Sequence, residues 1–229
     1  MKNFLSKFKH FARDLIILVL GIVLSLMLND WRENRSNRAD EIRVVKQMVE
    51  DLVRDTTDLA EGLEGLSSIS ELTEFLLGDG ALMPDSLLDA GMSMWSMATY
   101  IPIVLQKTAF NELTYQDQHR NIRFPELASS FINLHEGTYS LLEEVIDLHA
   151  KYLIEDLVPF LNSIMPPVKV LLEADPSRLE IIEKQLRSYE MQNRIEWVDT
   201  LLLNVDGVMR EAKAEASKLL VEIKEKYNL

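Results

Sequence analysis

Apolar positions follow two different regimes along this chain. Leu15 to Leu28 (LIILVLGIVLSLML) is one uncharged run, and no second run like it follows. From Ile42 onward, apolar residues instead recur at helical spacing among charged ones. Ile42, Val45, Val49, Leu52, Thr56, Leu59, Leu63 and Leu66 occupy heptad a and d positions, with Thr56 the one polar member. Sustained over four heptads, that pattern predicts a long helix with one buried seam. No stretch alternates with a period of two, so no sheet is expected.

Proline placement divides the remainder. All seven prolines lie between Pro84 and Pro176. A helix interior loses about 3 kcal/mol to a proline, so both ends of the chain are free to form long helices. Four helical segments are predicted, over 37–77, 86–120, 125–165 and 176–228. The second is interrupted at Pro102, and Pro159 is placed to kink the end of the third. On the third, Leu127, Phe131, Leu134, Leu141, Val145, Leu148 and Tyr152 are expected to face inward.

The fourth opens with two alternative caps, Asp175 before Pro176, or Ser177 with Glu180. Its inward face is read as Leu179, Ile182, Leu186 and Tyr189, and Gly207 is the expected bend. Glu180/Lys184, Glu183/Arg187, Glu190/Arg194 and Glu222/Lys226 are ordered to pair across one turn. Gly78-Asp79-Gly80 and Met165-Pro166-Pro167 mark turns. Short connections between such segments predict an all-α, elongated antiparallel bundle.

The uncharged run alone covers roughly 21 Å, short of a hydrocarbon core of about 30 Å. Extended over 11–31 it reaches about 30 Å, with Arg13 and Trp31 at the two interfaces, where snorkelling and amphipathic rings are favoured. The expected organisation is a basic arm over 1–10, a transmembrane helix over 11–31 and an acidic domain over 32–229. A cleaved signal peptide and a buried core helix are the competing readings. The bulky Ser25-Leu26-Met27-Leu28-Asn29 argues against cleavage. Gly21, Ser25 and Asn29, spaced by four, share one face that suits close packing of two membrane helices.

Charge sharpens the partition. The net charge is -13, yet residues 1–43 hold eight basic residues against five acidic ones. The rest therefore carries about -16, which repels phosphate backbones and argues against nucleic-acid binding. Four basic residues precede the run, and the four arginines that follow are interleaved with acids. That arrangement favours a cytoplasmic N-terminus and a domain outside. With no cysteine, disulfides and thiolate metal sites are excluded.

Candidate chemistry is sparse. His135 and His149 stand two heptads apart, about 21 Å along a helix axis, too far to share a metal. They are expected at surface or boundary positions. The carboxylate pairs Glu50/Asp51, Glu143/Glu144 and Glu155/Asp156 are expected on solvated faces. No nucleophile elbow or glycine-rich phosphate loop is present. No catalytic residue, metal or cofactor is therefore assigned, and the chain is not read as an enzyme. Met92, Met94, Trp95 and Met97 are expected in the core.

Leu20-Gly-Ile-Val-Leu-Ser-Leu-Met-Leu-Asn-Asp-Trp-Arg-Glu-Asn-Arg35 resembles the anchor of an uncharacterised bacterial single-pass family. Thr108-Ala-Phe-Asn-Glu-Leu113, the helix near Tyr139 and the segment from Asn193 to Leu229 are also similar. Ser25 departs from the family's usual alanine, and its glycine-bearing turn after Leu113 is absent. The resemblance implies a single-pass protein of the bacterial inner membrane with a helical domain, and supplies no activity.

The functional expectation is a membrane-anchored helical scaffold whose partners are the lipid bilayer, a further copy of itself and an unidentified protein. The alternative is a tethered extracytoplasmic ligand sensor, its pocket opened at the breaks near Pro102 and Pro159.

Overall fold

The computed structural model describes residues 2–78, 94–115, 122–164 and 183–229, with side chains from residue 18 onward. Helix α1 runs unbroken over Lys2–Leu77, about 114 Å at 1.5 Å per residue. The further helices are α2 (Thr108–Tyr115), α3 (Pro125–Leu134), α4 (Ser140–Tyr152), α5 (Val158–Ile164) and α6 (Tyr189–Tyr227). Two π-helical turns, His135–Tyr139 and Leu153–Leu157, splice α3 to α4 and α4 to α5. The described residues are thus all helix, turn or extended link, as the absence of alternation requires.

The packing is antiparallel. Along α1 and α6, Tyr227 meets Glu41, Met209 lies over Gly62, and Asp199 bonds Thr73. Along α4 and α6, Thr138 bonds Glu215, Tyr152 lies against Trp197, and Asp156 pairs with Arg194. The path is therefore up, down, up and down. Within the described residues its second leg departs from the helix expected over 86–120: 94–96 are helical, 99–107 are not, and helix returns at α2. Pro102 cannot donate and restricts the residue before it. The leg is held instead by side chains of α1, described below.

The core seam on α1 differs from the predicted one by a single residue in every heptad. Val45, Leu52, Leu59 and Leu66 are buried as expected. The other seam positions are Glu41, Met48, Asp55 and Gly62 rather than Ile42, Val49, Thr56 and Leu63. Ile42 is exposed, and Val49, Thr56 and Leu63 are half-buried. An apolar-only reading skips the two carboxylates and the glycine, because neither residue type announces burial. At Gly62 a Cβ would collide with Ile103 Cδ1, so the missing side chain lets the extended leg lie against α1.

On α3 to α5, Leu127, Phe131 and Leu134 are buried as predicted. Beyond the first π turn the register advances by one residue. Leu142, Ile146, His149, Leu153 and Leu157 form the core face, while Leu141 and Leu148 are exposed and Val145 and Tyr152 half-buried. A π turn inserts one extra residue, which rotates everything after it by about 100° relative to an α-helix. The second π turn ends just before Pro159, whose ring would otherwise crowd the carbonyl four residues earlier.

Helix α6 continues without interruption through Gly207. The break falls at 187–188, where Ser188 caps α6 by accepting the Met191 N–H at 3.2 Å. That cap turns Tyr189 outward, 81% exposed rather than inward, while Leu186 is buried. Glu183 pairs with Arg187, while Arg194 pairs with Asp156 and donates to the Glu190 backbone carbonyl rather than its carboxylate, and Lys226 pairs with Glu126. Met94 and Met97 are fully buried and Trp95 partly so. The Gly80 and Met165–Pro167 turn signals, both caps at 175–180, Leu179, Ile182 and Met92 lie outside the described residues.

Candidate functional site

Three carboxylates on one face of α1 organise the interior: Glu41, Asp51 and Asp55, each at most 3% exposed. Asp51 Oδ2 accepts the Ala109 N–H at 2.8 Å, and its Oδ1 accepts from Gln47. Asp55 Oδ1 accepts the Gln106 N–H at 2.8 Å. Both bonds fall at the entry to α2, so α1 supplies in trans the anionic cap that α2 lacks locally. Glu41 accepts the Arg123 N–H at 2.7 Å just ahead of α3, together with the Tyr227 hydroxyl and the Arg38 guanidinium. The Glu50/Asp51 pair is therefore split: Glu50 is solvated and Asp51 is structural.

Around Asp55 lies a dense polar centre. His135 and Tyr139, the first and last residues of the π turn, project into the core. The His135 ring packs against Phe110, Phe131 and Tyr139 at 4.9, 4.7 and 4.8 Å between centroids. Neither of its nitrogens has a hydrogen-bond partner among the described residues. Burial, reinforced by Lys107, pulls its pKa down to about 4, so the ring is neutral at pH 7. His149 is buried as well and shifts the same way through burial. Both histidines were expected at the surface or boundary. The one-residue advance across the π turn carries His149 inside, whereas His135, ahead of the advance, is buried one turn after Phe131 on the α3 core face.

Asp55 titrates high. Burial pushes its pKa up to about 7, outweighing the Gln106 N–H and the Tyr139 hydroxyl, and Asp51 and Asp58 add repulsion. Tyr139 is driven up by burial and by Asp55. The two side chains interact, yet neither Asp55 Oδ2 nor Tyr139 Oη completes a hydrogen bond. Chemically the pair can hold a proton near neutrality inside the bundle. Among the described residues, no cluster of potential ligands could hold a metal ion.

The residues singled out from the sequence lie elsewhere. Gly21 and Ser25 share a face with Leu18, Ile22 and Leu26, and the Ser25 hydroxyl donates to the Gly21 carbonyl at 2.8 Å. Asn29 is exposed one turn on. Trp31 is 58% exposed, with the Arg35 guanidinium 5.6 Å over its ring. The side chain of Arg13 lies outside the described residues. From Leu18 to Ser36 every residue of α1 is exposed, aliphatic ones included. Among the described residues no helix is long and apolar enough to cross a membrane. Of the span expected over 11–31, residues 11–17 have side chains outside that description.

The buried centre escaped the sequence reading because an isolated carboxylate in a charged helix looks solvated. The available signal was the misfit at Thr56. Shifting that half of the seam by one residue replaces it with Asp55 and aligns Met48. No protein-family model, curated protein or solved structure matches the chain.

Proposed function

We propose that this chain is a membrane-tethered helical interaction protein. Residues 11–31 of α1 lodge in lipid, and the acidic bundle stands off the bilayer to present a surface to a protein partner. The observation that carries this reading is the aliphatic sleeve on α1. Leu18, Leu20, Ile22, Leu24, Leu26 and Leu28 are each between 53 and 62% exposed, around the whole circumference of a helix with no packing neighbour there among the described residues. A helix apolar on all sides needs an apolar surrounding. The uncharged run over 15–28 covers only about 21 Å, and helix continuing over 11–14 and 29–31 supplies the remaining length. The likeness of residues 20–35 to a single-pass anchor supports the same reading.

The rigid link matters to the role. Nine residues of helix separate Trp31 from Glu41, where the bundle begins, a rise of about 15 Å that holds the domain off the headgroups. The internal carboxylates of Glu41 and Asp51 are taken up in capping bonds within the bundle, which leaves its outer faces for recognition.

The test is extraction of membranes from cells expressing the intact chain. It should resist alkaline carbonate and come out only with detergent. Recovery in the aqueous carbonate fraction would overturn the anchor. Because the native chain has no cysteine, single substitutions Ser6→Cys and Ser36→Cys then report sidedness with an impermeant maleimide, position 36 being the one expected outside.

A further inference from the structure

The one-residue advance across the first π turn leaves a second apolar stripe at the edge of the core, with Val145 and Tyr152 half-buried and Leu141 and Leu148 exposed. Leu141, Val145, Leu148 and Tyr152 follow one another at i, i+4, i+7 and i+11 on α4, which is the spacing of a buried helix face. The core face of α4 is already made by Leu142, Ile146, His149 and Leu153. The surplus stripe instead borders the open side of the α4–α6 seam. There Trp197, 50% exposed, and the half-buried Val208 of α6 extend it. Leu148, Tyr152, Trp197 and the buried Leu201 line a hollow of about 240 Å³ at one end of this groove.

Charge bears on its occupant. Glu155 and Asp156 border the hollow, and Glu144, Glu196 and Glu211 are exposed on the same two helices. Lys151 stands 4.0 Å from Glu155, and Arg194 is held by Asp156.

We propose that the α4–α6 groove docks an amphipathic helix from a protein partner, its apolar stripe seated on Leu141, Leu148, Tyr152 and Trp197 and its flanks basic. This deepens the interaction reading above and rests on it. A second copy would set one acidic rim against another, and an anionic membrane would meet the same repulsion, so charge favours a different, basic partner.

The experiment uses the full chain in lipid nanodiscs and a labelled synthetic 18-residue helical peptide. The peptide carries leucine at i, i+3, i+4 and i+7 with lysine on both flanks, and a control replaces every lysine by glutamate. Anisotropy should show saturable 1:1 binding of the lysine peptide and none of the control. Leu141→Gln, on the exposed stripe, leaves the net charge unaltered and should weaken binding at least tenfold while melting no lower than the parent. Leu148→Asp, on the exposed stripe, should do the same and serves if the first variant misfolds.

Equal binding to parent and variants would show mere attraction to an acidic body and overturn the proposal. So would binding of the glutamate peptide, absence of binding, or self-association that Leu148→Asp abolishes. Protection of the groove by anionic lipid vesicles would assign it to a membrane instead and likewise overturn it. Peptide binding can be read whether or not the chain resists carbonate, so failure of the anchor and failure of the groove are separate results.

Discussion

The Tyr227 hydroxyl donates to Glu41 Oε1 at 2.6 Å, joining residues 186 positions apart. Glu41 is the first buried residue of α1 among those described, so this bond closes the bundle where the bare helix leaves it. Burial raises the Glu41 pKa, but the Tyr227 hydroxyl, the Arg123 N–H and Arg38 together outweigh it and hold the carboxyl below its ordinary value. The carboxylate is thereby kept charged at the base of the fold, and it ties α1, α3 and α6 together.

Removing that hydroxyl should loosen the base. Tyr227→Phe leaves the ring against Phe124 but deletes a bond to a charged acceptor, at about 1.5–3 kcal/mol. Because the folded pKa of Glu41 is depressed, its contribution is present above the unfolded value and lost as pH falls through the folded one. Thermal melts of parent and variant should therefore differ at pH 7 and converge once the pH has fallen through the lowered range in which folded Glu41 takes up its proton. An unchanged difference across that fall would show that the bond does not depend on ionised Glu41.

Asp55 has the opposite sign. Its folded pKa of about 7 lies above the ordinary value of 3.8, so the folded state binds the proton more tightly. Stability from this group is full below the unfolded pKa and is lost as pH rises through 7. Asp55→Asn keeps an oxygen for the Gln106 N–H and removes the buried charge. It should melt above the parent at pH 8, with the gain shrinking towards zero by pH 4. A variant that is less stable at pH 8 would place a working carboxylate at this position.

His135 is a buried ring with unpartnered nitrogens among aromatic neighbours. Its depressed pKa means that stability is lost as pH falls from the unfolded value of 6.5 towards 4. His135→Leu removes both the unmet polar atoms and the titration. It should equal or exceed the parent at pH 7, by up to about 1–2 kcal/mol, and its advantage should widen at pH 5. Loss of stability at both pH values would mean that the ring's stacking outweighs its unsatisfied nitrogens.

Much of this architecture was legible, and the gaps have physical causes. The helical class, the antiparallel order and the buried Val45, Leu52, Leu59 and Leu66 follow from periodicity. What periodicity misses is any residue buried for a reason other than being apolar. Glu41, Asp51 and Asp55 are inside because they cap other segments, and Gly62 because Ile103 needs the space. The extended leg at 99–107 has no helical signal of its own and depends on those caps. The inward face of α4 was misread for a different reason. Two apolar stripes compete there, and the choice between them is made upstream, at Gly137.

That choice can be tested by deleting one residue. A π turn differs from α-helix by a single inserted position. Removing Gly137 should therefore let α3 run into α4 as continuous α-helix with Leu134, Leu142, Ile146 and Leu153 still on one face. Nothing packs over Gly137, so its loss leaves no cavity. The deletion variant should keep its helical circular dichroism and melt within about 1 kcal/mol of the parent. Deleting Glu144, beyond the π turn, should instead rotate Ile146, His149 and Leu153 out of the core and cost several times more, since each misplaced aliphatic side chain forfeits roughly 1.5–3 kcal/mol of burial. Equal damage from the two deletions would show that the π turn is required for the core rather than inserted into it.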